Sequence, residues 1–304
     1  MPGSKPPPHP ITSAASVLRL YWLLARKPRF RGLYLGLIRT IIRTYFLPQF
    51  RRARGRAKVP LDMELDALIP FDPTWLPCYL GFVRLWTGSL GWLHRRFGDR
   101  ALPEMESFVI GMESLFLEAA KVFSQRDSTM ATRPGPLPSL DSLLIHCSDR
   151  NSFCFPSLHV MIVRFNSGRM AAALHRLRGQ GEDYSAEKAF LETRSARIVE
   201  SIIHVKQHSL SDIPAGLFLL RAMGTSTGLF AADAEDARAD DLRFLASLFP
   251  EAAEGPGSAL RTFMQRLYLR LVQAHSEGRD PDGVLLDFLG QYPEEMRHLI
   301  KKEG

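Results

Sequence analysis

Every long apolar stretch of this sequence has charge inside it. TWLPCYLGFVRLWTGSLGWL (residues 74–93) has the length of a membrane span and carries Trp75, Trp86 and Trp92, which suit an interface, yet Arg84 sits near its middle. PEMESFVIGMESLFLEAAKVF (103–123) carries Glu104, Glu106, Glu113 and Glu118, and VMIVRFNSGRMAAALHRLR (160–178) carries Arg164 and Arg169. One arginine at mid-helix costs about 2.5–3.5 kcal/mol on insertion scales, so several per segment oppose spanning by on the order of 10 kcal/mol. No stretch shows sustained period-two alternation, and none carries a hairpin signal. An all-α chain is expected, as a water-soluble bundle or as helices lying on a bilayer, with 74–93 the nearest thing to a span.

With 304 residues, 45% hydrophobic and 23% charged, the chain is long enough for a real core and reads as folded. Its net charge of +7 is unevenly placed. Residues 1–61 hold thirteen Lys or Arg and no acid, leaving 26 basic against 32 acidic residues beyond them. Within this arm, RGLYLGLIRTIIRTYFLPQFRRARGRAK (31–58) mixes apolar and basic residues at helical spacing. Arg39 and Arg43 share one face, Leu37, Ile38, Ile41, Ile42 and Phe46 cover another, and Arg51, Arg52, Arg54, Arg56 and Lys58 follow. Such an arm is a solvated basic face or an anchor for an anionic membrane surface, where each cation contributes roughly 1 kcal/mol. Nucleic acid is an unlikely partner, because no base-reading motif accompanies the charge.

Cys78, Cys147 and Cys154 show no paired spacing, which argues against a disulfide frame or zinc site and for a reducing compartment. MPGSKPPPHP is a proline-rich tail. The apolar run after it contains Arg19 and lacks a small-residue cleavage site, so a secretory signal is not expected. Three regions follow from composition: a basic arm with an amphipathic helix (1–60), a helical bundle (61–224), and an accessory helical region (225–304). The last begins with the acidic DAEDARADD and includes the linker EGPGS and an amphipathic helix marked by Leu260, Phe263, Met264, Leu267 and Leu271.

Two apolar segments carry the chemistry. In HVKQHSLSDIPAG (204–216), His208 and Asp212 lie one turn apart if the segment is helical. A carboxylate there fixes the tautomer of the imidazole and leaves its other nitrogen as a nucleophile. Lys206 adds charge nearby. In CFPSLHV (154–160), Ser157 and His159 offer a hydroxyl donor and an acid. RDSTMATRP (126–134) supplies Arg126 and Arg133 ahead of the rigid RPGPLPS connector. Cations to hold a tetrahedral oxyanion, one His to attack and one to protonate are what phosphoryl transfer needs. The bland alternatives are a structural His208–Asp212 pair, a core His159, or a metal stripe of His204, His208 and Asp212. Pro214 is expected to kink the helix beside the site.

Taken together and in this order, the three segments resemble the type 2 phosphatidic acid phosphatase superfamily, which also includes sphingolipid synthases, bacterial acid phosphatases and vanadium haloperoxidases. Its first motif is Lys, six residues, Arg-Pro; here Arg126 stands at the Lys position and Arg133 and Pro134 match. Its second is Pro-Ser-Gly-His, often with Leu for Gly; here Pro156, Ser157, Leu158 and His159. Its third is Ser-Arg, five residues, His, three residues, Asp; here Ser201, His208 and Asp212 match and Ile202 replaces the Arg. DALIPFDPTWLPCYL (66–80) also looks like the approach to a membrane helix in a lipid-acting branch, and the likeness runs over about 61–224.

The resemblance implies a helical bundle of the phosphatidic acid phosphatase/haloperoxidase type and no metal or other cofactor. His208 would form a phosphohistidine, oriented by Asp212, and His159 would protonate the leaving oxygen. Arg126, Arg133, Ser157 and Lys206 would cradle the phosphate. A phosphorylated lipid or similar phosphomonoester would be the substrate, and the protein would be membrane-associated, facing the cytoplasm. A non-catalytic binder of phosphate headgroups and a vanadate-dependent oxidase are the competing readings.

Overall fold

A computed structural model describes residues 9–52, 58–149, 151–227, 234–250 and 256–292. The chain is all-α. Its helices are α1 (Ala14–Arg26), α2 (Pro28–Ile41), α3 (Leu47–Arg52), α4 (Leu76–Phe97), α5 (Leu102–Gln125), α6 (Leu140–Ser148), α7 (Leu158–Leu177), α8 (Ser185–His204), α9 (Asp212–Thr227), α10 (Ala234–Ser247), α11 (Pro256–Ser276) and α12 (Pro281–Gly290). A π-helical turn, Ile42–Phe46, joins α2 to α3. No strand is expected from the sequence, yet β1 (Lys58–Pro60) pairs in parallel with β2 (Asp127–Thr129). Three residues per strand are too few to carry a period, so this pairing is a tertiary event.

Helix α7 is the axis of the bundle, packed by α4, α5, α8 and α9. Every residue from Leu158 to Ser167 is buried, the polar His159, Arg164 and Asn166 included. Two of the charges that argued against spanning, Arg164 and Arg169, are buried and paired. Arg164 reaches Glu192 of α8 and, at 2.7 Å, Asp240 of α10, with its guanidinium 4.2 Å from the centroid of the Phe244 ring. Arg169 donates to Ser107 Oγ at 2.7 Å beside Glu104. Among the described residues no helix is long and apolar enough to cross a membrane; α4, which contains the candidate span, has its middle and end buried against α1, α7 and α8.

The three regions read from composition are not three bodies. Ile11, Leu20, Leu23, Phe30, Tyr34 and Leu37 of the basic arm join the same core as α4, α5 and α7. At the other end, α11 packs on α9 and α12 on α5, and Phe288 stacks on Phe155 at 5.3 Å. The proline-rich tail up to residue 8, Arg54, Arg56, and Glu254 and Gly255 of the EGPGS linker lie outside the described residues.

Close approach of α1 to α4 depends on small residues. A Cβ on Gly91 would lie 1.8 Å from the Ser16 carbonyl oxygen, and one on Gly88 would lie 2.4 Å from that of Ile11. Both obstacles are backbone and cannot rotate away. Gly91→Ala is therefore expected to lift α1 off α4 and destabilise the fold by about 3 kcal/mol or more, read as a lowered urea midpoint. An unchanged midpoint would show that this contact does not hold the two helices together.

Candidate functional site

The sequence placed His208 and Asp212 on one helix. Instead α8 ends at His204 and α9 begins at Asp212, and the chain turns between them. The Ile202 carbonyl accepts from both Gln207 N–H and His208 N–H, and Lys206 takes φ +55° to make the turn. His208 and Asp212 still meet, Nδ1 to Oδ2 at 2.9 Å. The same turn separates His204, which stacks on Trp75 at 4.3 Å, so the metal stripe does not form. Among the described residues no group of three His, Cys, Asp or Glu could hold a metal ion. Pro214 falls in the first turn of α9, where an N–H would have no helical partner anyway, so it needs no kink.

Two acceptors converge on His208 Nδ1: Asp212 Oδ2 and, at 2.8 Å, the Cys154 carbonyl. A carbonyl cannot donate, so Nδ1 carries the proton and Nε2 presents a lone pair. Asp212 is wholly buried, and burial raises its carboxyl above the ordinary range against the hydrogen bonds from His208, Ser209 N–H and Ser211 Oγ. Around His208 Nε2 lie His159 Nδ1 at 3.4 Å and Ser157 Oγ at 3.5 Å, both long contacts. Ser157 caps α7, which explains why Ser-x-His opens that helix: the cap and the first turn face the same space. Gly216 of α9 permits this meeting, since a Cβ there would lie 2.8 Å from the Ser157 carbonyl oxygen.

His159 is flanked by the Tyr79 ring at 4.4 Å and the Phe82 ring at 4.5 Å. With Nδ1–H directed at the His208 lone pair, its Nε2 is an acceptor, and that buried atom has no hydrogen-bond partner among the described residues. Burial first, and the charge of His208 second, hold the His159 pKa well below its ordinary value. The unfolded chain therefore takes up this proton near pH 6.5 and the folded protein only lower, so the stabilisation is complete above about 6.5 and is lost as pH falls. The fall in urea midpoint between pH 7.5 and 5 should be smaller in His159→Gln than in the wild type, by a slope of at most ~1.4 kcal/mol per pH unit. Equal slopes would mean the imidazole is not held neutral.

The Arg133 side chain is 7% exposed, with Nη1 a distant 4.0 Å from Asp149 Oδ1 and with Nε and Nη2 lacking any hydrogen-bond partner among the described residues. Asp149 in turn accepts from Tyr79 Oη at 3.2 Å, so one side chain links this cation to the His159 ring. Arg133 and Asp149 line a cavity of about 590 Å³ together with Lys58, His146, Asn151 and Ser152. A buried guanidinium with unfilled donors is costly unless an anion completes it.

Two predicted phosphate ligands are placed elsewhere. Lys206 donates its Nζ to the Asp66 carbonyl at 2.6 Å and to the Ile69 carbonyl, because its left-handed backbone turns the side chain toward the 66–69 loop. Arg126 is exposed at the C-terminal end of α5 and does not line the cavity that holds Arg133. Ile202, at the place of the missing arginine, is fully buried core.

The sequence also missed the support beneath the site. Asp66 is buried and accepts from Ser209 Oγ and Leu210 N–H, both at 2.8 Å, and from Met63 N–H at 3.0 Å. It thereby pins the turn that carries His208, although burial pushes its carboxyl up to about 7. Tyr292 Oη donates to the Leu61 carbonyl and lies 3.5 Å from Ser211 Oγ. No fixed spacing ties Asp66 or Tyr292 to the histidines, so no signal in the sequence marks them.

Comparison with family models, with curated proteins and with solved structures finds no match.

Proposed function

We propose that the protein is a metal-independent phosphatase or phosphotransferase of the phosphatidic acid phosphatase type, acting on a phosphorylated lipid or similar phosphomonoester. The observation that carries this reading is the doubly accepted Nδ1–H of His208, which leaves the Nε2 lone pair facing Ser157 and His159. Nε2 attacks phosphorus, the P–N bond forms as the ester P–O bond breaks, and the alcohol leaves with a proton from the doubly protonated form of His159, which is left neutral. Water or a second alcohol then attacks the phosphohistidine, returning its proton to His159. The unfilled donors of Arg133 supply charge for the phosphoryl oxygens. Release of phosphate from decyl phosphate or p-nitrophenyl phosphate in the presence of EDTA is the expected result. No release from either ester across pH 4–8 would end the proposal.

The position of Lys206 and the apolar Ile202 favour a second reading, in which the chain binds phosphate headgroups without turning them over. That reading expects binding to anionic vesicles that weakens with salt, and no hydrolysis. Either way we place the protein on an anionic membrane surface facing the cytoplasm. Support comes from the exposed apolar side chains of Leu18, Tyr21 and Trp22 on α1 and Leu35 on α2, with Arg39 of α2 and Arg43 of the π-helical turn also exposed.

A further inference from the structure

Helix α6 turns its apolar side to solvent. Leu140, Leu143, Leu144 and Cys147 follow the i, i+3, i+4, i+7 spacing of a single helix face. All four are exposed, the leucines at 71%, 52% and 49%. An amphipathic helix of a water-soluble bundle points such a stripe at the core. Here Ser142 and Ile145 are the buried residues instead, and Ser142 Oγ accepts from Leu137 N–H at 2.8 Å. The helix is also tied down. Ser139 caps it, accepting from Ser142 N–H at 3.2 Å, and His146 Nε2 lies 3.1 Å from the Pro134 carbonyl oxygen. A fixed element thus presents three leucines to water.

Area and charge say what covers them. Nine residues make a helix about 14 Å long and ~10 Å wide, a footprint on the order of 150 Å². A stable protein interface needs ~800 Å² per partner, so this face is too small to hold a second copy or another protein. The helix is also about half as long as the ~30 Å hydrocarbon layer is thick, so it can only lie flat, where an apolar face sinks ~5–10 Å into the headgroup boundary. Positive charge adjoins it. The cavity of about 590 Å³ is lined by Pro134 and Gly135 of the connector and by His146 of α6. Its described lining residues carry two cations, Lys58 and Arg133, against one carboxylate, Asp149, and Lys58 is exposed. We infer that α6 is a docking helix whose leucines enter the acyl layer of an anionic bilayer, with Lys58 meeting the headgroup phosphates beside it. The inference rests on the membrane placement proposed above and adds a contact apart from α1. That helix meets α4 at Gly91, whereas Asp149, next to α6, accepts from Tyr79 near the start of α4.

Cys147 lies on the exposed face, Cys154 is buried, and Cys78→Ser removes the remaining thiol, so an environment-sensitive fluorophore can be placed on Cys147 alone. Vesicles of phosphatidylcholine with phosphatidic acid are expected to shift its emission to the blue, and doxyl-labelled lipid in the same vesicles should quench it. Leu143→Asp and Leu144→Asp, both at exposed positions, should each weaken vesicle binding about tenfold. Lys58→Gln should weaken it about fivefold on phosphatidic acid vesicles and leave it unchanged on phosphatidylcholine alone. Sedimentation with vesicles in the same samples separates the claims. Sedimentation without a fluorescence change would keep the protein on the membrane through another face and overturn the role of α6. No sedimentation would remove both the docking helix and the membrane placement. A blue shift that appears without lipid and grows with protein concentration would overturn the bilayer in favour of a second copy. Equal loss on both vesicle types in Lys58→Gln would overturn the headgroup contact. Hydrolysis of p-nitrophenyl phosphate, which needs no bilayer, reads the proposed reaction independently of all these outcomes.

Discussion

Replacing His208 by Ala is expected to lower phosphate release by about 10⁴-fold or more, because the step that forms the P–N bond then has no nucleophile. The fold should survive the change. His208 is buried, but its backbone N–H is held by Ile202, and Asp212 keeps the Ser209 N–H and Ser211 Oγ as donors. A denaturing quench in alkali during turnover of radiolabelled ester should trap alkali-stable, acid-labile phosphate on the wild type and none on His208→Ala. Full activity in the variant would reject the histidine mechanism altogether, whereas loss of activity with a large drop in urea midpoint would point to a structural role for the ring.

Asp212→Asn should cost less, about 10²- to 10³-fold in kcat. Where an orienting carboxylate alone sets the tautomer, its amide costs ~10⁴ because the wrong nitrogen becomes protonated. Here the Cys154 carbonyl holds the Nδ1 proton as well. An Asn can also keep its oxygen at the Oδ2 position, facing His208 and Ser209 N–H, and turn its amide toward Ser211 Oγ, which can accept. What disappears is the negative charge that stabilises the imidazole as it becomes phosphorylated. The check is kcat and the imidazole ¹⁵N shifts of His208 in the variant. A shift of the proton to Nε2, with a loss near 10⁴, would show that the backbone acceptor contributes little.

The helical class was legible because long apolar runs with internal charge leave few alternatives, and Arg164 shows why those charges are tolerated: Glu192 and Asp240 reach it from helices far away in sequence. The partners of such a charge have no fixed spacing, so the sequence showed the charge and not its neutralisation. The site divides in the same way. The four-residue spacing of His208 and Asp212 suggested a helical pair, and the two do meet, but through a turn with Lys206 in the left-handed region. That turn sends Lys206 to the carbonyls of Asp66 and Ile69, away from the space a motif had assigned to it. The basic arm was read from charge, which describes its exposed face; the buried Leu20, Leu23 and Leu37 on its other face belong to the common core.

By itself the amino-acid order determined that this chain is helical and that two histidines, an aspartate and a serine sit in segments too apolar to leave them idle. Both conclusions depend on local period and on the cost of burying polar groups, which a linear sequence records. Only the tertiary structure decided that Arg133 keeps unfilled donors, that Lys206 and Arg126 stand elsewhere, and that Asp66 braces the turn. Each of those depends on contacts between residues tens to hundreds of positions apart, whose distances are set by how α4, α5, α7 and α9 pack, and not by their order along the chain.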